Sequence, residues 1–165
     1  MSDFRRIIWH WTAGAKGLNP VEADSYHWIV QPDGSLAPGA HPVTANLPPL
    51  RPGAYAAHTL NCNSRSIGIS LDAMAGAVER PFVPGPNPIT WDAVRGLIRI
   101  TAEMCRTHGI AVARDTTLSH AEVQPTLGIA QHNKWDITWL PDMARPGDPV
   151  VVGDRLRAML RDALT

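Results

Sequence analysis

The sequence predicts an α/β protein, a single domain over residues 1–165 with one central mixed β-sheet flanked by helices. Three observations lead there. Short apolar runs with two-residue alternation intermix with helical patterns along the whole chain. A length of 165 residues, 44% hydrophobic and 18% charged, suits one core of ordinary globular composition. No internal repeat, low-complexity tract or interdomain linker interrupts the pattern.

Taken in order, residues 4–11 (FRRIIWHW) read as a strand that stops at Thr12-Ala13-Gly14. Only residues 14–25 separate it from a second strand at 26–30 (YHWIV). Asn19-Pro20 interrupts that interval, and Pro20 starts one helical turn through Asp24. Pro32-Asp33-Gly34 signals a turn, so residues 35–37 return as a hairpin partner. Residues 39–53 and 80–88 are rich in proline and aperiodic, and read as loops. Between them, residues 66–71 (SIGISL) form a strand. The clearest helix follows: Trp91, Val94, Leu97, Ile98, Thr101, Met104 and Cys105 recur at three- and four-residue steps. Thr90 is its N-cap, Asp92 suits its first turn and Gly109 its stop. A short strand at 116–119 and an amphipathic helix at 154–164 complete the chain, the latter with Leu156, Met159, Leu160 and Leu164 on one face.

Charge and composition narrow the partners. Fifteen basic residues balance fifteen acidic ones, so no nucleic-acid partner is expected. No stretch approaches the ~20 apolar residues of a membrane span. The apolar run after Arg5-Arg6 is too short for a signal h-region. The expectation is a monomer made in the cytoplasm without a signal peptide, with any outside substrate reached after release from or into a host cell. Cys62 and Cys105 lack metal or redox spacing and are expected to be buried and reduced.

Seven histidines carry the candidate chemistry. His10 lies late in the first strand, and His120 ends the strand in Leu118-Ser119-His120-Ala121-Glu122. Asp136 lies in Asn133-Lys134-Trp135-Asp136-Ile137. Two imidazoles and one carboxylate with an open fourth position make a catalytic zinc pattern. Spacing alone leaves that set open, because a strand-end histidine is more often structural. HExxH is absent, which argues against the common metallopeptidase arrangement.

Four blocks in order resemble the N-acetylmuramoyl-L-alanine amidases, a family that includes T7-type phage lysozymes, anhydro-muropeptide amidases and animal peptidoglycan recognition proteins. The blocks are Ile7-Ile8-Trp9-His10-Trp11-Thr12-Ala13; Tyr26-His27-Trp28-Ile29-Val30 with Asp33-Gly34; Ala57-His58, Asn63 and Ser66-Ile67-Gly68-Ile69; and Ser119-His120-Ala121-Glu122-Val123 with Lys134-Trp135-Asp136. The resemblance implies zinc (Zn2+) held by His10, His120 and Asp136, and hydrolysis of the bond between N-acetylmuramic acid and L-alanine in peptidoglycan or a muropeptide. It places Tyr26 and Lys134 at the mouth as catalytic groups, with Lys134 on the oxyanion and Tyr26 on the water or intermediate. Some relatives carry a glutamate base in the central strand; the matching residue here is Ser70. His58 and Trp135 are expected to contact substrate, with Trp139 a weaker groove candidate; Glu122, close to His120, is a minor candidate to bind or orient ligands. His27 alternates away from Tyr26 and is expected to be buried and hydrogen-bonded. Asp142 is the nearest rival carboxylate. A phage-type endolysin is the expected role; a non-catalytic wall-binding module and a muropeptide-recycling amidase are the alternatives. Relatives place a substantial helix between the first two strands, so this wall of the groove is expected to be reduced here.

Overall fold

A computed structural model describes residues 3–165. Five strands form one mixed sheet in the order β3-β2-β4-β1-β5: β1 (Arg6–Trp11), β2 (Trp28–Val30), β3 (Leu36–Pro38), β4 (Ser66–Leu71) and β5 (Thr117–Ser119). β1 lies parallel to both β4 and β5, β2 is parallel to β4, and β3 is the antiparallel hairpin partner of β2. The predicted α/β architecture is therefore the observed one.

Alternation along β1 sorts its residues between two faces. Ile7, Trp9 and Trp11 point into the main core with Ile67, Ile69 and Leu71 of β4. Against that face pack α2 (Trp91–His108) and α4 (Pro149–Leu164), which contribute Val94, Leu97, Leu156 and Leu160. The Trp9 indole N–H donates to Thr101 Oγ1 at 3.1 Å, tying β1 to α2. Ile8 and His10 point the other way. Ile8 joins a smaller cluster with Cys62, Leu118 and Val123, and His10 is buried against His120 and Asp136.

The caps explain where helices begin. Thr90 accepts from the Ala93 N–H and Gly109 closes α2 in the left-handed conformation, as its sequence predicts. α1 (Pro20–Ser25) is the single short turn expected, capped reciprocally by Asn19 and Glu22. α4 begins five residues before the predicted 154, because Asp148 caps it and Pro149 occupies the first helical position. α3 (His120–Leu127) was not expected: residues 116–119 were read as a strand with His120 at its end, whereas His120 opens a helix. Strand β2 also starts later than Tyr26, which is the extended residue capping α1. Within the 39–53 loop, Val43–Asn46 forms one 3₁₀ turn. Both cysteines are free and buried. Among the described residues, no helix is long and apolar enough to cross a membrane.

Candidate metal centre

His10, His120 and Asp136 converge although 110 and 126 positions separate the second and third from the first. Each arrives differently. β1 delivers His10 near its C-terminal end, beside Ser70 of β4 in the parallel register. His120 is the first residue of α3, where the chain leaves β5. Asp136 sits on the following loop, and its carbonyl accepts from the Ala121 N–H at 2.6 Å, so it is docked on the start of α3.

The three donor atoms are His10 Nδ1, His120 Nδ1 and an Asp136 carboxylate oxygen. The two Nδ1 atoms lie 3.2 Å apart. Asp136 Oδ2 is 3.2 Å from His10 Nδ1, and Oδ1 is 3.4 Å from His120 Nδ1. Zinc bound at about 2.0–2.1 Å by tetrahedral donors sets those donors about 3.3 Å apart. The donor chemistry and spacing thus fit zinc. All three side chains are buried. Burial pushes His10 down to about 4, against the hydrogen bond from Asp136 that favours its cation. Burial would raise the Asp136 carboxyl, but hydrogen bonds with His10 and His120 outweigh it and hold it well below the usual range. A neutral His10 imidazole and an ionised Asp136 carboxylate are the forms that bind a metal.

Two of these donors, His120 and Asp136, line a cleft of about 660 Å³ together with Tyr26, His58, Lys134 and Trp135, and His10 is buried against them. Lys134 is exposed at the rim. The Trp135 ring is half-buried and meets Trp11 edge-on at 4.7 Å. The Tyr26 ring lies 5.2 Å from that of His10. Burial, reinforced by the charge of Asp136, raises the Tyr26 phenol far above its ordinary value despite a hydrogen bond with Ser70. Tyr26 is therefore a hydrogen-bond donor at neutral pH, not a base.

His58 lines the cleft, the place expected of a substrate contact. It is also buried against His10, with Nδ1 3.2 Å from His10 Nε2 and 2.8 Å from Thr59 Oγ1. Gly68 makes this possible, because a Cβ there would stand 2.5 Å from the His58 ring. Beyond it, His27 is buried and hydrogen-bonded as predicted, to Asn46 Oδ1 at 2.9 Å and from the Gly68 N–H at 2.9 Å.

Trp139 is a correction. It is buried in the main core, donates to the Met143 carbonyl at 2.8 Å and packs on Phe82, so it does not line the cleft. Asp142 is exposed and paired with Arg155, remote from the donor set. Glu122 binds no ligand directly. It accepts from the Ser119 N–H at 2.7 Å and pairs with buried Arg157 of α4 at 2.7 Å, bracing the turn that presents His120. The Ser119-x-x-Glu122 spacing, a helix-start signature, was the overlooked signal for α3. Arg157 and Gln131, which bonds His120 Nε2 at 2.8 Å, carried no such signal.

With the geometry in place, relatives can be compared. Residues 1–148 match the sequence profile of the N-acetylmuramoyl-L-alanine amidases. The chain belongs to that family. No curated protein matches it in sequence. The amidase LysC from Clostridium intestinale URNW superposes with a TM-score of 0.52 at 17% identity, over 96% of this chain and 87% of that one. A selenomethionine derivative of AmpD superposes with a TM-score of 0.55 at 16% identity, over 98% and 85% of the two chains. At such identities the likeness establishes a shared fold. In this amidase-family chain the family match ends inside the linker before α4, so Arg157 lies beyond it.

Proposed function

We propose that this chain is a zinc-dependent N-acetylmuramoyl-L-alanine amidase that cleaves the amide between N-acetylmuramic acid and L-alanine of bacterial peptidoglycan. The observation that carries the reading is the buried group of His10, His120 and Asp136, whose donor atoms lie within 4.8 Å of one another beside an open cleft that His120 and Asp136 line, in a member of this family. Zinc held by His10, His120 and Asp136 supplies Lewis acidity to the reaction. The chain's own groups do the rest. The Lys134 ammonium, at the rim, donates to the oxygen that gains charge as the carbonyl is attacked. The Tyr26 phenol, kept protonated by burial, donates to the water or the tetrahedral intermediate. Trp135 offers an aromatic face to substrate on the cleft wall. The complete donor set favours catalysis over a wall-binding module without activity.

The setting we propose is that of a phage-type endolysin acting on the wall from outside the cytoplasm as a monomer. The exposed rim at Leu60 and Lys134 suits a polymeric strand. The test is digestion of purified peptidoglycan before and after chelator dialysis. Release of peptides with a new N-terminal alanine, lost with the metal and restored by zinc, supports the reading. New reducing sugar ends without free peptide would identify a glycosidase instead. Wall binding without any release would identify a binding module, and a strong preference for soluble anhydro-muropeptides a recycling enzyme.

A further inference from the structure

Gln131 lies outside every block that points to the site, yet it is 3% exposed and lies on the cleft wall. Three short hydrogen bonds fix it, and its Nε2 also reaches the Ile129 carbonyl at 3.5 Å. Its backbone N–H donates to Gln124 Oε1 on α3 at 3.1 Å. Its side-chain Nε2 donates to the Leu60 carbonyl at 2.8 Å. Its Oε1 meets His120 Nε2 at 2.8 Å. The two side-chain contacts determine each other. Leu60 offers a carbonyl, which only accepts, so the amide NH2 must face it and Oε1 must face His120. An amide oxygen also only accepts, so His120 Nε2 must carry the ring proton. The lone pair is then left on Nδ1, the atom that faces His10 and Asp136. Flipping the amide would oppose two carbonyl oxygens at Leu60 and two donors at His120.

We propose that Gln131 is a positioning residue that locks His120 in the Nε2–H tautomer and ring orientation needed for zinc, and ties that ligand to the Leu60 wall of the cleft. The inference rests on the zinc reading above. Outer hydrogen bonds of this kind set ligand orientation and basicity, and their loss typically weakens metal binding about 10- to 100-fold. Gln131 thus joins His120 to the Leu60 side of the cleft by two side-chain hydrogen bonds.

The test compares whole-chain wild type, Gln131→Met and Gln131→Glu. Methionine keeps the length and removes the acceptor; glutamate, protonated on the oxygen that meets the Leu60 carbonyl, keeps both the acceptor for His120 and a donor for Leu60. Zinc dissociation constants are measured by competition with a chromophoric chelator, and thermal unfolding of the metal-free proteins monitors the fold. Gln131→Met is expected to bind zinc about 10- to 100-fold more weakly, and Gln131→Glu to recover most of that loss. A folded Gln131→Met with wild-type affinity overturns the proposal, as does a Gln131→Glu no better than Gln131→Met. Imidazole ¹⁵N spectra of the wild type, with and without zinc, give an answer even where a variant fails to fold. They should show the His120 proton on Nε2, and a proton on Nδ1 overturns the proposal. A wild type that takes up no zinc at all instead overturns the metal reading itself.

Discussion

His58 stands directly behind His10, its Nδ1 3.2 Å from His10 Nε2. Because His10 turns Nδ1 toward His120 and Asp136, its proton belongs on Nε2 and is donated to His58. His58 then carries its own proton on Nε2, toward the Ser66 carbonyl at 3.4 Å. His58→Leu should therefore weaken zinc binding about tenfold or more by removing the partner that orients His10. Zinc titration together with Michaelis kinetics decides between this and the expected substrate contact. A raised KM with an unchanged zinc affinity would return His58 to substrate binding.

Lys134 and Asp136 lie two residues apart and should fail differently. Asp136→Ala should lose zinc and activity together, and Asp136→Cys should regain metal, since a thiolate also binds zinc. Lys134→Ala should keep zinc and fold but lose turnover by about 100- to 1000-fold, or ~3–4 kcal/mol, the usual cost of one oxyanion donor. Binding of substrate should change less than turnover. Near-normal turnover in Lys134→Ala would make Lys134 a solvated rim residue.

Buried imidazoles make the metal-free protein acid-sensitive. Burial lowers both His10 and His27 from 6.5 to about 4. In the unfolded chain these rings take a proton near pH 6.5, whereas the folded protein refuses it until about pH 4. Over that window the unfolded state binds more protons, so stability falls as pH falls. The loss is on the order of 3 kcal/mol per ring once the lower value is reached. Urea midpoints measured in chelator at pH 7 and 4.5 should drop clearly, and His27→Gln should flatten the slope. A midpoint insensitive to pH over this interval would rule out neutral buried rings.

Arg157 and Glu122 form an ion pair with both side chains fully buried. Burial pushes the Glu122 carboxyl up, against the pull of Arg157. The charge is therefore costly to keep inside, and removing Arg157 leaves it unpaired. Arg157→Met should destabilise the fold by about 3–5 kcal/mol, while Glu122→Gln with Arg157→Met should recover part of it. Denaturant unfolding of the three proteins measures the difference. A cost below about 1 kcal/mol for Arg157→Met would mean that Glu122 finds water or another partner.

Local chemistry made much of this protein readable from its residues. The alternation in residues 66–71 and the spacing of Trp91 to Cys105 produced β4 and α2, because strand and helix periods are properties of the chain itself. The motif blocks likewise named His10, His120 and Asp136, and these meet in one buried group. Readings failed where tertiary packing chose between local alternatives. Trp139 sits three residues from Asp136 and reads as a groove residue, but its ring packs on Phe82 in the main core and its N–H donates to the Met143 carbonyl. His58, readable as a groove residue, does line the cleft, and only the close approach allowed by Gly68 lets it pack on His10 as well.

The sequence by itself determined which residue types were available and roughly where: an imidazole near the end of β1, another at the end of β5, and a carboxylate in the Asn133-Lys134-Trp135-Asp136-Ile137 segment. Only the tertiary structure decided which nitrogen of each imidazole faces inward. That choice depends on Gln131, Leu60 and Ser66, which lie 11, 60 and 56 positions from the ligands they affect. A hydrogen bond's direction is set by the partner's position in space, and spacing along a chain does not encode it.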